Sequence, residues 1–270
     1  MHNIQSRQFT FDSEQVKNWA EFSGDFNPIH FDLDWAQRLG VDNLVVHGML
    51  AMLHLKQHLT EHGERCTVEQ ETWHAFKAMI CNPLPYDKQL VLAPVPKRQS
   101  LNYKGKCEES ETEYFKGSVK WDVAKPDAWQ SPPVLSGRID TTEMLERFKQ
   151  HYSENFASWV ILDAMVFSDF MNNQAIPLRN HIAEQISSAF GDVPNNLIVV
   201  HGNHSVFMNA ALLQGKDLAE YVSGDIEYFI PEPDLIVESN KIICLVKVLV
   251  KQGDSELMAV EMGLILLNKN

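Results

Sequence analysis

Two long stretches of this chain are apolar on nearly every side. The first, from 47 to about 62, opens with Met49, Leu50, Ala51, Met52, Leu53 and Leu55. The second, 155 to 171, carries Phe156, Trp159, Val160, Ile161, Leu162, Met165, Val166, Phe167 and Phe170. A helix that is apolar all round is buried rather than laid on a surface, so each stretch predicts a central helix. Other segments follow a period of two. Phe115, Gly117, Val119, Trp121 and Val123 alternate clearly, and 197–208, 242–250 and 258–267 also read as strands.

Ahead of the first apolar helix, 8–11 predicts a short strand. Asp12 or Ser13 then caps a helix to about Phe22 that turns Val16, Trp19 and Ala20 to one side. A short helix over 32–39 stops at Gly40. Residues 124–137, rich in Pro and Ser, read as a linker. The boundaries expected are therefore 1–123, the linker 124–137, and 138–270. Each half holds one apolar helix and several strands, although no residue-by-residue repeat is visible. An antiparallel sheet wrapped around such a helix buries both apolar surfaces at once. The fold class expected is α+β, with that plan used twice.

Bulk properties narrow the function. At 270 residues, 44% hydrophobic and 22% charged, the chain is a globular protein able to bury one large core or two ordinary ones. The net charge of −13 argues against nucleic acid and anionic membrane as partners. Lys97, Arg98, Lys104 and Lys106 form a local basic stretch, read first as a solvated edge or hairpin. Cys66, Cys81, Cys107 and Cys244 lack metal or redox spacing and read as reduced thiols. With no apolar leader at Met1 and no peroxisomal address at Asn270, the expected location is the cytoplasm.

The candidate chemistry is concentrated before the first apolar helix, in Asp25-Phe26-Asn27-Pro28-Ile29-His30 and His47-Gly48-Met49. Pro28 pushes Asn27 out of the α region, so Asp25 and His30 fall on a tight loop. A carboxylate and an imidazole converging on one water form a general acid–base pair. Gly48 opens the buried helix, where a backbone amide can stabilise an oxyanion and the missing side chain lets a substrate come close.

Ser23-Gly24-Asp25-Phe26-Asn27-Pro28-Ile29-His30, a short helix, then His47-Gly48-Met49 resembles the MaoC-like (R)-specific enoyl-CoA hydratases and 3-hydroxyacyl thioester dehydratases. The likeness is specific over 7–60. It implies the hot-dog fold for the first half and, with the repeated plan, a double hot dog: two antiparallel sheets, each wrapped around a buried helix. It implies a hydro-lyase that adds water to trans-2-enoyl thioesters or removes it from (R)-3-hydroxyacyl thioesters. Asp25 and His30 become the catalytic residues, Gly48 the oxyanion donor, and Asn27 and His47 supporting residues. No metal or other cofactor is implied. Coenzyme A or an acyl carrier protein is the handle of the substrate. The chain acts as an internal pair, with a further homodimer open. One departure stands out: Lys56 occupies a position where such relatives often carry a hydroxyl residue supporting the catalytic Asp.

Rival readings centre on other residues. Asp163 lies in the middle of the second apolar helix, where a carboxylate is costly unless paired or protonated. An acyl-thioester hydrolase using Asp163 is one alternative, and a non-catalytic acyl-thioester binding subunit is another. His54, His58 and His62 share a helical face, expected to be a solvated stripe rather than a zinc site. Val200-His201-Gly202 echoes the first His-Gly step and is expected to be structural.

Overall fold

Asp12 starts the first helix as expected. Its carboxylate accepts the Gln15 N–H, and the Gln15 side chain accepts the Asp12 N–H, a reciprocal cap. This helix, α1 (Ser13–Ser23), follows β1 (Arg7–Phe9) and buries Val16, Trp19, Ala20 and Phe22. It ends at Gly24, whose φ of 77° is the left-handed conformation that favours glycine. After a connection that includes α2 (Leu33–Arg38) comes the buried helix α3 (Gly48–Gly63), then β2 (Trp73–Ile80), β3 (Leu90–Pro96), β4 (Ser100–Lys106) and β5 (Glu113–Val123). The computed structural model describes residues 6–38, 40–63, 72–127, 131–190, 198–214, 218–222, 224–238 and 241–267.

The second half repeats this order. β6 (Pro133–Asp140) leads into α4 (Thr141–His151), capped by the Asp140 carboxylate on the Thr142 and Glu143 amides. The buried helix α5 (Ser158–Asp169) follows, then α6 (Ala175–Phe190), β7 (Ile198–Asn209), the short α7 (Ala211–Gln214) and α8 (Leu218–Tyr221), β8 (Asp225–Pro231), β9 (Asp234–Val237), β10 (Lys241–Gln252) and β11 (Ser255–Leu267). The segment read as a linker is therefore shorter than 124–137, because β6 begins at Pro133. The second apolar helix also runs further than its apolar residues suggest. A π-helical turn, Phe170–Gln174, joins α5 to α6. Pro177 explains it: proline has no N–H to give the carbonyl four residues back, and a widened turn relieves the clash of its ring.

The strands form one antiparallel sheet in the order β1-β3-β4-β5-β2-β7-β11-β10-β8-β6, with β9 paired to β10. Read outward from the β2·β7 junction, both halves have the same strand order. The two hot-dog sheets are thus joined edge to edge, through a ladder running from Trp73↔Asn209 to Met79↔Asn203. Packed together in the core, α3 and α5 run in opposite senses. Trp159 Nε1 donates to Thr60 Oγ1 at 3.0 Å, and the Ala157 N–H to Gln57 Oε1 at 2.7 Å. One large core results, with Trp19, Leu50, Met52, Phe76, Trp159 and Val206 at 2% exposure or less.

The halves differ in one connection. In the first, the 24 residues 24–47 separate α1 from α3; in the second, the six residues 152–157 separate α4 from α5.

Candidate active site

Short-range hydrogen bonds build the loop that leaves α1. The Asp25 carboxylate accepts the Asn27 N–H at 3.3 Å, and Asn27 Oδ1 accepts the Ile29 N–H at 3.3 Å. These are Asx turns, favoured where a short polar side chain can reach its own backbone two residues on. Asn27 thereby caps the single 3-10 turn Pro28–His30, with proline at its first position. That turn carries His30 back towards Asp25.

A second strand of chain holds His30 in place. Nδ1 of His30 lies 2.6 Å from the Val45 carbonyl. A carbonyl only accepts, so Nδ1 carries the proton and Nε2 of the neutral ring is a bare acceptor. The Tyr86 hydroxyl donates to the His30 carbonyl. His47 packs its ring on that of His30, centroids 3.6 Å apart, and its Nε2–H donates to the Asp25 carbonyl at 2.8 Å. His47 does not line the cavity described below. It braces both residues from behind, and its Nδ1 is buried without a hydrogen-bond partner.

Burial sets the charge states. Loss of water raises the Asp25 carboxyl above its ordinary value, and the nearby His30 and the Asn27 amide only partly oppose this. Burial lowers His30 below 6.5, against the pull of Asp25 and Val45. Burial and the neighbouring His30 hold His47 well below 6.5. An imidazole shifted towards its neutral form beside a carboxyl shifted towards its protonated form is an acid–base pair disposed to move protons. Donor atoms of Asp25, His30 and His47 all lie within 4.8 Å of one another. A carbonyl already occupies one nitrogen of each ring.

Asp25, Asn27, His30 and Gly48 face a cavity of about 460 Å³, inside the ~300–1,000 Å³ range of small-molecule sites. Gly48 is the first residue of α3, so its N–H has no acceptor within the helix. A Cβ there would come within 2.6 Å of Ile80 Cδ1. Beyond the polar end the lining is apolar and belongs largely to the second half: Phe167, Phe170, Leu178 and Ile182 from the helical run, Met262 and Leu264 from β11. Which residues make this wall has no local pattern in the sequence, and neither has the clamp by Tyr86 and Val45. His201 and Gly202, expected to be structural, also line the cavity. A larger hollow of about 720 Å³, beside Trp73, Asp122, Lys125 and Asp254, lies open at the sheet junction, and no histidine is among its lining residues.

The loop is seated on the second half. Ser168 Oγ donates to the Phe22 carbonyl at 2.7 Å, and Asn172 Nδ2 to the Ser23 carbonyl at 3.2 Å. Asn172 stands in the π turn and packs so closely on Gly24 that a Cβ there would come within 2.4 Å of Asn172 Oδ1.

Other candidates lie elsewhere. Lys56 makes no bond to Asp25. It points away and pairs with Asp163, which also accepts from His204 Nε2 at 3.0 Å. Burial alone would raise the Asp163 carboxyl, but His204 and Lys56 outweigh it and hold the group well below the carboxylate range. Asp163 is not among the residues lining the cavity, so a hydrolase reading loses its acid. The histidine stripe is not solvated: His54 is half-buried against Phe11 and Phe156, and His58 is 3% exposed. The His62 side chain lies outside the described residues. In the basic stretch, Lys104 pairs with Glu113 and Lys106 with Glu111.

A double hot dog with one acid–base loop at the head of a buried helix defines a class of protein. Residues 2–75 match the family described as MaoC like domain. Forty residues are 52% identical to the mitochondrial 3-hydroxyacyl-[acyl-carrier-protein] dehydratase of Arabidopsis thaliana, covering 15% of this chain and 24% of that protein. The alignment thus spans about a quarter of the curated relative. A solved MaoC-like dehydratase superposes over 98% of both chains at a TM-score of 0.50 and 11% identity. The dehydratase domain of PpsC from Mycobacterium tuberculosis, in complex with C12:1-CoA, covers 97% of this chain and 93% of its own at 0.47 and 12%. Residues 2–75 are thus similar to the MaoC like domain, and over its whole length the chain shares the fold of a solved MaoC-like dehydratase. Among the described residues, no helix is long and apolar enough to cross a membrane.

Proposed function

We infer that the protein is a hydro-lyase of acyl thioesters, adding water to a trans-2-enoyl thioester and removing it in reverse. The observation that carries this is the pairing of a neutral His30, Nε2 bare, with a desolvated Asp25 at the mouth of an apolar cavity headed by the Gly48 amide. In hydration, His30 Nε2 takes a proton from water as its oxygen bonds to C3. Electrons shift through C2 to the thioester oxygen, and the Gly48 N–H stabilises the charge there. The Asp25 carboxyl gives its proton to C2. Passing the proton from His30 to Asp25 restores the pair. Asn27 and His47 keep the loop in this geometry. The acyl chain lies in the apolar wall of the second half, with coenzyme A or a carrier protein outside as its handle. No step calls for a metal or redox group.

The test is incubation with crotonyl-CoA, following enoyl absorbance and free thiol together. Hydration removes the absorbance and releases no thiol, and the 3-hydroxybutyryl-CoA formed has the R configuration. Release of thiol would mark a hydrolase. Neither change, with the thioester still bound, would mark a binding subunit. The S product would sink the assignment of stereochemistry.

A further inference from the structure

Lys56 and Asp163 meet at the centre of the molecule, each side chain 1% exposed. Their contact joins α3 of the first half to α5 of the second, and His204 of β7 holds the same carboxylate. The ammonium also stands 5.4 Å above the ring of Phe76. Phe76 is the middle residue on the β2 side of the junction ladder, opposite Val206. Because strand order is the same outward from that ladder in both directions, an approximate twofold axis relates the halves and passes near this pair. The two ions therefore lie close to the axis but come from different halves.

That placement has a chemical meaning. Were two first halves to dock through β2, two Lys56 ammonium groups would be buried together with no carboxylate between them. Two second halves would bury two Asp163 carboxylates with no ammonium. Buried ions are strongly unfavourable unless paired, whereas an apolar pair in the same space is often at least as stable as an ion pair. The gain from this ion pair thus lies in selection more than in strength. We propose that Lys56, Asp163 and His204 form a pairing code that docks a first half on a second half and excludes the docking of like halves between chains. It operates whatever reaction the cavity performs.

Two full-length variants test it. Lys56→Asp sets two carboxylates against each other within its chain, and Asp163→Lys sets two ammonium groups. Refolded separately, each gives little soluble protein. Refolded together, the altered first half of one and the altered second half of the other are complementary, and so are the two unaltered halves. The nine residues 124–132 between β5 and β6 reach about 30 Å when extended, which permits exchange. An affinity tag on one variant should capture the other at least about fivefold more than tagged wild type captures untagged wild type after the same refolding. The chain carrying both reversals should refold on its own, as wild type does. Wild-type yield from either single variant alone, capture no greater than the wild-type control, or failure of the doubly reversed chain would each overturn the code.

Discussion

At the scale of single residues, two groups of side chains do different work. His30→Ala and Asp25→Asn should each lower kcat by at least about a hundredfold, as expected for a lost acid–base group. Binding of a saturated acyl-CoA should stay close to normal, and near-normal turnover would remove that residue from the mechanism. The pH profile follows from the His30 shift. Its pKa lies below 6.5, so the acid-side fall of kcat/KM, as the bare Nε2 takes a proton, should lie below pH 6.5. Lys56 and Asp163 act on stability instead. Removing either one, by Lys56→Met or Asp163→Asn, leaves the other ion buried without its countercharge and should cost about 3–5 kcal/mol in urea unfolding. Stability also depends on pH. Burial depresses His30, His47, His54, His74, His201 and His204, and His201 falls to about 3. A depressed histidine binds its proton more readily unfolded, so stability should drop as pH falls below 6.5. Asp163, depressed too, contributes above its unfolded value near 3.8 and loses that below it. The raised Asp25 opposes this with a single group. An unfolding midpoint that did not fall between pH 7 and pH 5 would contradict the assignment of neutral buried rings.

At the scale of elements, α3 holds the Gly48 amide beside the cavity at its N-terminus and the Lys56–Asp163 contact further along. Its first position tolerates proline, which has no N–H. Gly48→Pro, made with Ile80→Val to give the ring space, should keep the helix and lower kcat about 10²–10³-fold, the usual loss for one oxyanion donor. Unchanged kcat in a variant with normal circular dichroism would move the oxyanion site elsewhere. Much of this was legible beforehand because helix burial and loop chemistry are local. The apolar runs of α3 and α5 and the Asn-Pro step that shapes the loop depend on neighbours in sequence. What escaped is set by distant partners. The apolar residues 155–171 mark a buried helix but give no sign that Pro177 opens a π turn and the helix continues. His58 looks like one of a polar stripe until Phe9 packs against it. Lys56 reads as a departure from a family pattern, and only the fold shows that Asp163, 107 residues on, is its partner.

At the scale of the whole molecule, the loop that holds Asp25 rests on Ser168 and Asn172 of the other half, and most of the cavity's apolar wall belongs to that half as well. A fragment ending at residue 132 should therefore lose activity and expose the apolar face of α3, seen as dye binding and aggregation; a folded, active fragment would contradict the double plan. The six-residue connection between α4 and α5 carries the last consequence. A symmetric pair of hot dogs, each with a long loop ahead of its buried helix, would turn over substrate at two centres. Here the second connection, Tyr152–Ala157, holds neither Asp nor His, so on the proposed function each chain has one centre. A tight-binding analogue of the enolate should titrate activity to zero at one equivalent per polypeptide, along a single straight line, however many chains assemble.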